Sequence, residues 1–269
     1  MTEPLAAMPM YDWPEVRPAA DVFWAGIAAR LRDTGIAAPD RLTRTRDYTR
    51  SWTRPDLLFG QTCGYPYVST LRGRVQLIAT PCYDAPGCEG PTYRSFILVR
   101  RDSPYRRVAD LRGARAIANS EDSQSGYSAL RAVVASKAVN GRFFGEIALS
   151  GGHRNSLIAV AEGRADVCAI DAVCVALARR HEKQAMAGLR IIARSPRAPS
   201  LPYITGLRTP PATLAALRHA ISGAIADRKL AEARAALLIA GCEVLDDTSY
   251  DRIAAIRDRA IGLGYPVLA

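Results

Sequence analysis

Short apolar runs alternate with amphipathic stretches along most of this chain. Runs with strand character fall at residues 5–11, 57–59, 75–80, 96–100, 114–118, 145–149, 166–170, 191–193 and 203–205. Apolar positions at helical spacing predict helices over 19–32, 126–138, 155–162 and 172–182. The first of these places Val22, Phe23, Ile27 and Leu31 on one face. From 213 to 263 the pattern is helical throughout, with breaks at Gly241 and at the Asp246-Asp247-Thr248 turn. Strands alternating with helices predict an α/β protein.

A chain of 269 residues exceeds the usual size of one domain. The element order divides it into a discontinuous first lobe, residues 1–101 plus 205–269, and an inserted second lobe, residues 102–204, joined by two crossover strands. That layout implies an interlobe cleft, and clefts between domains are preferred ligand sites. In open α/β sheets ligands sit at the carboxyl ends of strands. Polar loops occupy those ends here: Tyr11 and Trp13, Gln61 and Thr62, Asn119 to Ser125, Ser150 to His153, and Asp171.

The loop at 120–131, Ser-Glu-Asp-Ser-Gln-Ser-Gly-Tyr-Ser-Ala-Leu-Arg, is the most informative of them. The first N–H groups of a helix have no intrahelical partner, and the helix dipole puts partial positive charge there. Such an end holds phosphate, phosphonate, sulfonate or carboxylate. Ser123 and Ser125 add hydroxyl donors without bulk, and Gly126 lets an anion approach the backbone. Ordinary N-capping accounts for a serine here equally simply, so the segment alone leaves both readings open.

Composition narrows the function by exclusion. A net charge of +10 invites a nucleic-acid partner, but the arginines are scattered, only Lys137, Lys183 and Lys229 are lysines, and no basic run interleaves with aromatics. An arginine-rich solvated surface is the expectation, with no nucleic-acid partner. Six cysteines show no Cys-x-x-Cys spacing and the three histidines lie far apart, so neither a metal nor a cofactor is expected. Cys63 and Cys88 lie in Gly/Pro-rich loops where a disulfide stays open. No apolar run reaches the roughly 18 residues of a membrane span. The opening Met-Thr-Glu-Pro-Leu-Ala-Ala-Met does not read as a secretory leader, which leaves a cytoplasmic address open.

Several blocks then occur together. They are Asp56-Leu-Leu-Phe-Gly-Gln-Thr-Cys-Gly-Tyr-Pro66, Tyr93-Arg-Ser-Phe-Ile-Leu-Val-Arg100, Asp110-Leu-Arg-Gly113, then Asn119 and Ser123-Gln-Ser-Gly-Tyr127. Gly151-Gly-His153 follows, then Ala161-Glu-Gly-Arg-Ala-Asp-Val167 and Ile170-Asp171. In this order and spacing the chain resembles the phosphate/phosphonate-type substrate-binding proteins of ABC importers, over roughly residues 10–205. The resemblance implies a two-lobe type II periplasmic-binding-protein-like fold that closes by a hinge on a small phosphonate, phosphate-like or other oxyanion solute. It also implies an ABC transporter permease as partner and a periplasmic address. Carried over by position, the anion loop maps onto Ser123, Ser125, Gly126 and Tyr127, and a first-lobe loop onto Gln61 and Thr62. Tyr11 and Tyr93 match aromatic cleft positions. Asp171 stands where an acid pairs a ligand ammonium, or where it caps a helix. His153 reads as a ligand hydrogen-bonder, or as a cap or solvated loop histidine.

Cys63 departs from the small hydroxyl residue common at its position in phosphonate binders. Two rival functions remain on the same scaffold. One is a cytoplasmic enzyme, a lyase or synthase of cofactor biosynthesis, using Asp171, His153 or Cys63. No Gly-x-Ser-x-Gly elbow or phosphate-binding Gly-x-x-x-x-Gly-Lys loop supports it. The other is a soluble small-anion sensor.

Overall fold

The computed structural model describes residues 4–45 and 47–269, which form two compact units. The first takes the chain up to Asp84, Glu89–Pro91 and Pro199–Tyr250; the second takes Ala85–Cys88, Thr92–Ala198 and Asp251–Ala269.

In the first unit, strands Leu5–Ala7, Leu57–Gln61, Tyr203–Gly206, Val75–Tyr83 and Ile239–Glu243 lie side by side in that order. Leu5–Ala7 runs parallel to Leu57–Gln61, and Tyr203–Gly206 lies antiparallel to both its neighbours. Helix Arg17–Asp33 starts with Pro18 in its first turn, where a missing N–H costs nothing, and buries Phe23, Trp24, Ile27 and Leu31. Phe23, Ile27 and Leu31 are buried as the sequence predicts, while Val22 is exposed and Trp24 joins the core in its place.

Two further expectations are corrected in this unit. The first strand stops at Ala7 instead of reaching Tyr11, because Pro9 has no N–H to give a ladder. The continuous helical tract after 213 is interrupted by the strand Ile239–Glu243, which pairs antiparallel with Val75–Tyr83. Helix Ala231–Ala236 gives way at Leu238, which adopts φ 59°, a left-handed turn that a non-glycine residue rarely makes.

The second unit has strands in the order Glu146–Leu149, Arg115–Ala118, Val167–Asp171, Ser95–Arg100 and Leu189–Arg194. Arg115–Ala118 is parallel to both its neighbours, and Ser95–Arg100 is antiparallel to both of its own. Val167–Asp171 is buried at every position, as a central strand covered on both faces requires. Helices His153–Ala161 and Ala172–His181 follow directly from strands or their loops. The core joins Ile97, Val99, Leu130, Val134, Phe143 and Val167 with Ala260, Tyr265 and Leu268 of the C-terminal segment.

The sequence-based lobe boundaries shift accordingly. Ser95–Arg100 belongs to the second unit because both its ladder partners do. Asp251–Ala269, expected in the first lobe, packs into the second unit's core. The amides of Phe143 and Phe144 donate to the Ala269 carbonyl, and Arg131 donates to the Pro266 carbonyl. Cys82, Cys168, Cys174 and Cys242 are free thiols. Among the described residues no helix is long and apolar enough to cross a membrane.

Candidate functional site

Three parallel strands of the second unit end at one edge of its sheet, and each delivers a polar loop there. Arg115–Ala118 leads to Asn119 and the serine loop, Glu146–Leu149 to Ser150, and Val167–Asp171 to its own terminal carboxylate. The loops are stitched together by backbone bonds from the Ser150 amide to the Ala118 carbonyl (2.9 Å) and from the Gly151 amide to the Asn119 carbonyl (2.9 Å).

The serine loop opens its helix with a widened turn. Gln124–Ser128 is π-helical, closed by the Ser128 amide donating to the Ser123 carbonyl at 3.0 Å, and the α-helix proper runs over Ala129–Val134. Single π turns of this kind open the backbone ladder and recur at functional sites. Ser123 is the N-cap, its Oγ accepting from the Gly126 amide at 3.0 Å. Gly126 is required by contact rather than by φ: a Cβ there would stand 1.8 Å from Asn119 Oδ1. The capping alternative therefore holds for Ser123, while Ser125 faces a different partner.

That partner is His153. Ser125 Oγ lies 2.7 Å from His153 Nε2 and 3.5 Å from Ser123 Oγ, and Ser123 and Ser125 are each only 3% exposed. The same Nε2 stands 3.7 Å from Asp171 Oδ2. Asp171 caps helix Ala172–His181, its Oδ1 accepting from the Cys174 amide at 2.8 Å. Ser123, His153 and Asp171 thus sit at the beginnings of three helical segments, and partial positive charge gathers where they meet.

Burial lowers the His153 pKa from its ordinary value, against a smaller opposing pull from Asp171, so the ring is neutral at pH 7. Its Nδ1 is buried with no hydrogen-bond partner among the described residues. A proton on Nδ1 would be a buried, unsatisfied donor, whereas a proton on Nε2 is satisfied by Ser125 Oγ. The Nε2–H tautomer is therefore favoured, and it leaves the Ser125 hydroxyl proton to be donated elsewhere. This also separates the trio from a nucleophile triad, which presents one ring nitrogen to the hydroxyl and the other to the carboxylate. Here one nitrogen faces both.

The remaining expected residues divide between the units. The Tyr127 hydroxyl accepts from the Leu268 amide at 2.9 Å and ties down the C-terminal segment. Tyr93 is buried in the short strand Thr92–Tyr93, two residues before Ser95, whose ladder partner is Asp171. In the first unit, Gln61 ends its strand with its amide donating to Tyr83 Oη (3.0 Å) and the Leu201 carbonyl (3.3 Å). Thr62 is fully buried, its hydroxyl donating to the Cys63 carbonyl at 3.2 Å. Tyr11 packs edge-on against Tyr83, with ring centroids 5.4 Å apart.

Three participants were not among the expected contact residues. Asn119 overlies Gly126 with a buried, unpartnered Oδ1; it stands in the recognised block, immediately after a strand, which was the available signal. Ser95, paired in register with Asp171, and Tyr83, bonded to Gln61, carry no distinguishing sequence spacing. Among the described residues no three or more His, Cys, Asp or Glu side chains are placed to hold a metal ion.

The family model for the periplasmic phosphonate substrate-binding protein of ABC transporters matches residues 56–250 of this chain. No curated protein matches it in sequence. Among solved structures it is similar to a binding-protein component of an ABC phosphonate transporter from Pseudomonas aeruginosa, at 16% identity and TM-score 0.79, over 98% of this chain and 88% of that one. PhnD1 of Prochlorococcus marinus, solved with methylphosphonate, aligns at 14% identity and TM-score 0.76 over 96% and 98% of the two chains. XAC2383 of Xanthomonas citri, solved with ATP, aligns at 19% identity and TM-score 0.73 over 98% of both.

Proposed function

The chain belongs to the phosphonate-binding family of periplasmic substrate-binding proteins of ABC transporters, and from that premise we propose that it captures a small phosphonate or phosphate-like oxyanion at the Ser123–Ser125 loop and delivers it to an ABC permease in the periplasm. One observation carries the placement of the seat: the buried Ser125 hydroxyl, held at 2.7 Å by a neutral His153, at the meeting of three helix starts.

Ser125 donates its proton to a ligand oxygen while His153 donates to Ser125, so the imidazole acts through the serine. Asp171 caps its helix through Oδ1, and its Oδ2, 3.7 Å from His153 Nε2, accepts in this proposal from a ligand ammonium, which favours an aminoalkyl phosphonate over a bare one. Gln61 and Thr62 of the first unit enter the proposal as ligand contacts on the strength of the family resemblance. In a site drained of water each hydrogen bond to the charged ligand contributes about 1.5–3 kcal/mol net.

The enzyme alternative rests on Asp171, His153 or Cys63, and the pairing of His153 with Ser125 gives no support to a serine nucleophile beside them. With both Ser125 and Asp171 on Nε2, no carboxylate among the described residues orients the ring through Nδ1, and in the Nε2–H form the nitrogen facing the serine has no lone pair to take its proton.

A thermal-shift panel tests the proposal. Methylphosphonate, 2-aminoethylphosphonate, phosphate, methanesulfonate and acetate are compared, and a ligand at about 100 times its Kd stabilises by about 2.7 kcal/mol. A shift with the phosphonates and none with acetate is the expected result. Stabilisation by no member of the panel removes the oxyanion reading.

A further inference from the structure

A second charged feature lies at the opposite edge of the second unit's sheet. The register runs from Ser95 paired with Asp171 to Val99 paired with Val167, so the strand carries the chain about 13 Å away from the seat by its rise per residue. Just beyond that end, Arg101, Arg179, Lys183 and Arg190 line a groove of about 420 Å³ together with Met186 and Ile191.

Among the described residues, none of the groove's four cations is ion-paired with a carboxylate. Arginines elsewhere do: Arg44 pairs with Asp12 and Asp21, and Arg115 with Asp166. The nearby acids are engaged by other arginines, Asp102 by Arg100 and Glu182 by Arg154. Arg101 donates to the carbonyls of Ala187 and Leu189, and Arg190 to those of Ser103 and Tyr105, so both guanidiniums are fixed in place with their charge unmatched. Burial, and after it the neighbouring Arg106 and Arg101, lower the pKa of Arg190 from its ordinary value.

Two ordinary roles explain part of this. Arg179 complements the C-terminal dipole of its helix, and Arg101 and Arg190 tie loops to strands. Neither role requires four cations to surround one concavity, nor explains why no acid is set among them. Guanidinium groups match phosphate oxygens in geometry as well as charge. A single monoanion leaves most of the repulsion standing, whereas several linked phosphates meet all four cations, and the groove has the size of a small-ligand site.

We propose that this groove is a second anion site, separate from the seat at Ser125, and that it takes a compact polyphosphate.

Calorimetry with inorganic tripolyphosphate tests this. The expected result is binding at about 20 mM salt that fades at about 500 mM, where the screening length falls to a few ångströms. Excess methylphosphonate is expected to leave that binding in place. The double variant Arg179→Gln/Lys183→Gln, altered only at exposed positions, is expected to lose about tenfold or more in tripolyphosphate affinity, roughly 1.4 kcal/mol. Its response to methylphosphonate stays that of the parent. Four results overturn the proposal: no binding of tripolyphosphate, equal binding by the double variant, displacement by methylphosphonate, or binding of phosphatidylglycerol vesicles without binding of tripolyphosphate. Equal binding by the variant would assign the attraction to the net charge of the whole chain.

Discussion

Replacing Ser125 by alanine removes one oxygen, and the structure says what depends on it. Ser125 is 3% exposed, and its hydroxyl lies 2.7 Å from His153 Nε2 and 3.5 Å from Ser123 Oγ, a long contact that a ligand oxygen can replace as acceptor of the serine proton. Its loss to a bound phosphonate is the loss of a hydrogen bond to a charged acceptor, about 1.5–3 kcal/mol, or about 10- to 150-fold in Kd. A second effect falls on the unliganded protein. His153 Nε2–H loses its acceptor inside the fold, and an unsatisfied buried donor costs about 1–3 kcal/mol. The two effects separate by measurement: titration calorimetry with methylphosphonate reads the first and the unliganded Tm reads the second. Ser128→Ala, a buried serine in the same π turn, serves as the control and is expected to bind within about twofold of the parent. Ser125→Ala binding methylphosphonate as tightly as the parent, with its fold intact by circular dichroism, refutes the assignment of the seat.

Three more outcomes follow from the same geometry. Because His153 holds its proton less tightly folded than unfolded, its contribution to stability is complete above pH 6.5 and declines as pH falls below that value; the Tm should drop between about pH 7.5 and pH 5, with His153→Gln flattening the slope, and an unchanged slope counts against a buried neutral ring. Gly126→Ala places a methyl against Asn119 Oδ1 and is expected to cost about 1–3 kcal/mol by overpacking; Asn119→Ala in the same chain should recover much of that loss in a denaturation double-mutant cycle, and simple additivity would deny the contact. Tyr127→Phe leaves the Leu268 amide without its acceptor and is expected to lower stability by about 1 kcal/mol in urea denaturation, with methylphosphonate affinity within about twofold of the parent; a large affinity loss would return Tyr127 to the ligand.

The binding-protein fold itself was legible because its signals are local. Val167–Asp171 reads as a buried strand from four apolar residues in a row, and Asp171 reads as a cap because it precedes a helical run. Asn119, the serines at 123 and 125, His153 and Asp171 all follow strand ends, and position after a strand is a property of the chain alone. Their meeting at one sheet edge then follows from parallel pairing.

What the order of residues left undecided required contacts between distant segments. Nothing near Leu238 announces a left-handed turn, so the strand Ile239–Glu243 is fixed only by the open edge of Val75–Tyr83 that it covers. The C-terminal segment joins the second unit through Phe143, Phe144, Tyr127 and Arg131, more than a hundred residues upstream. The roles of Ser123 and Ser125 diverge for the same reason. In the sequence they are two equivalent hydroxyls; in the fold the first is spent on the Gly126 amide, and the second is held by a histidine from another helix whose burial keeps it neutral. Composition supplied the surplus of positive charge, but only packing determined which cations were left around a groove without acids. Local propensity acts over a few residues, whereas hydrogen-bond partnership and desolvation depend on whatever the completed fold brings alongside.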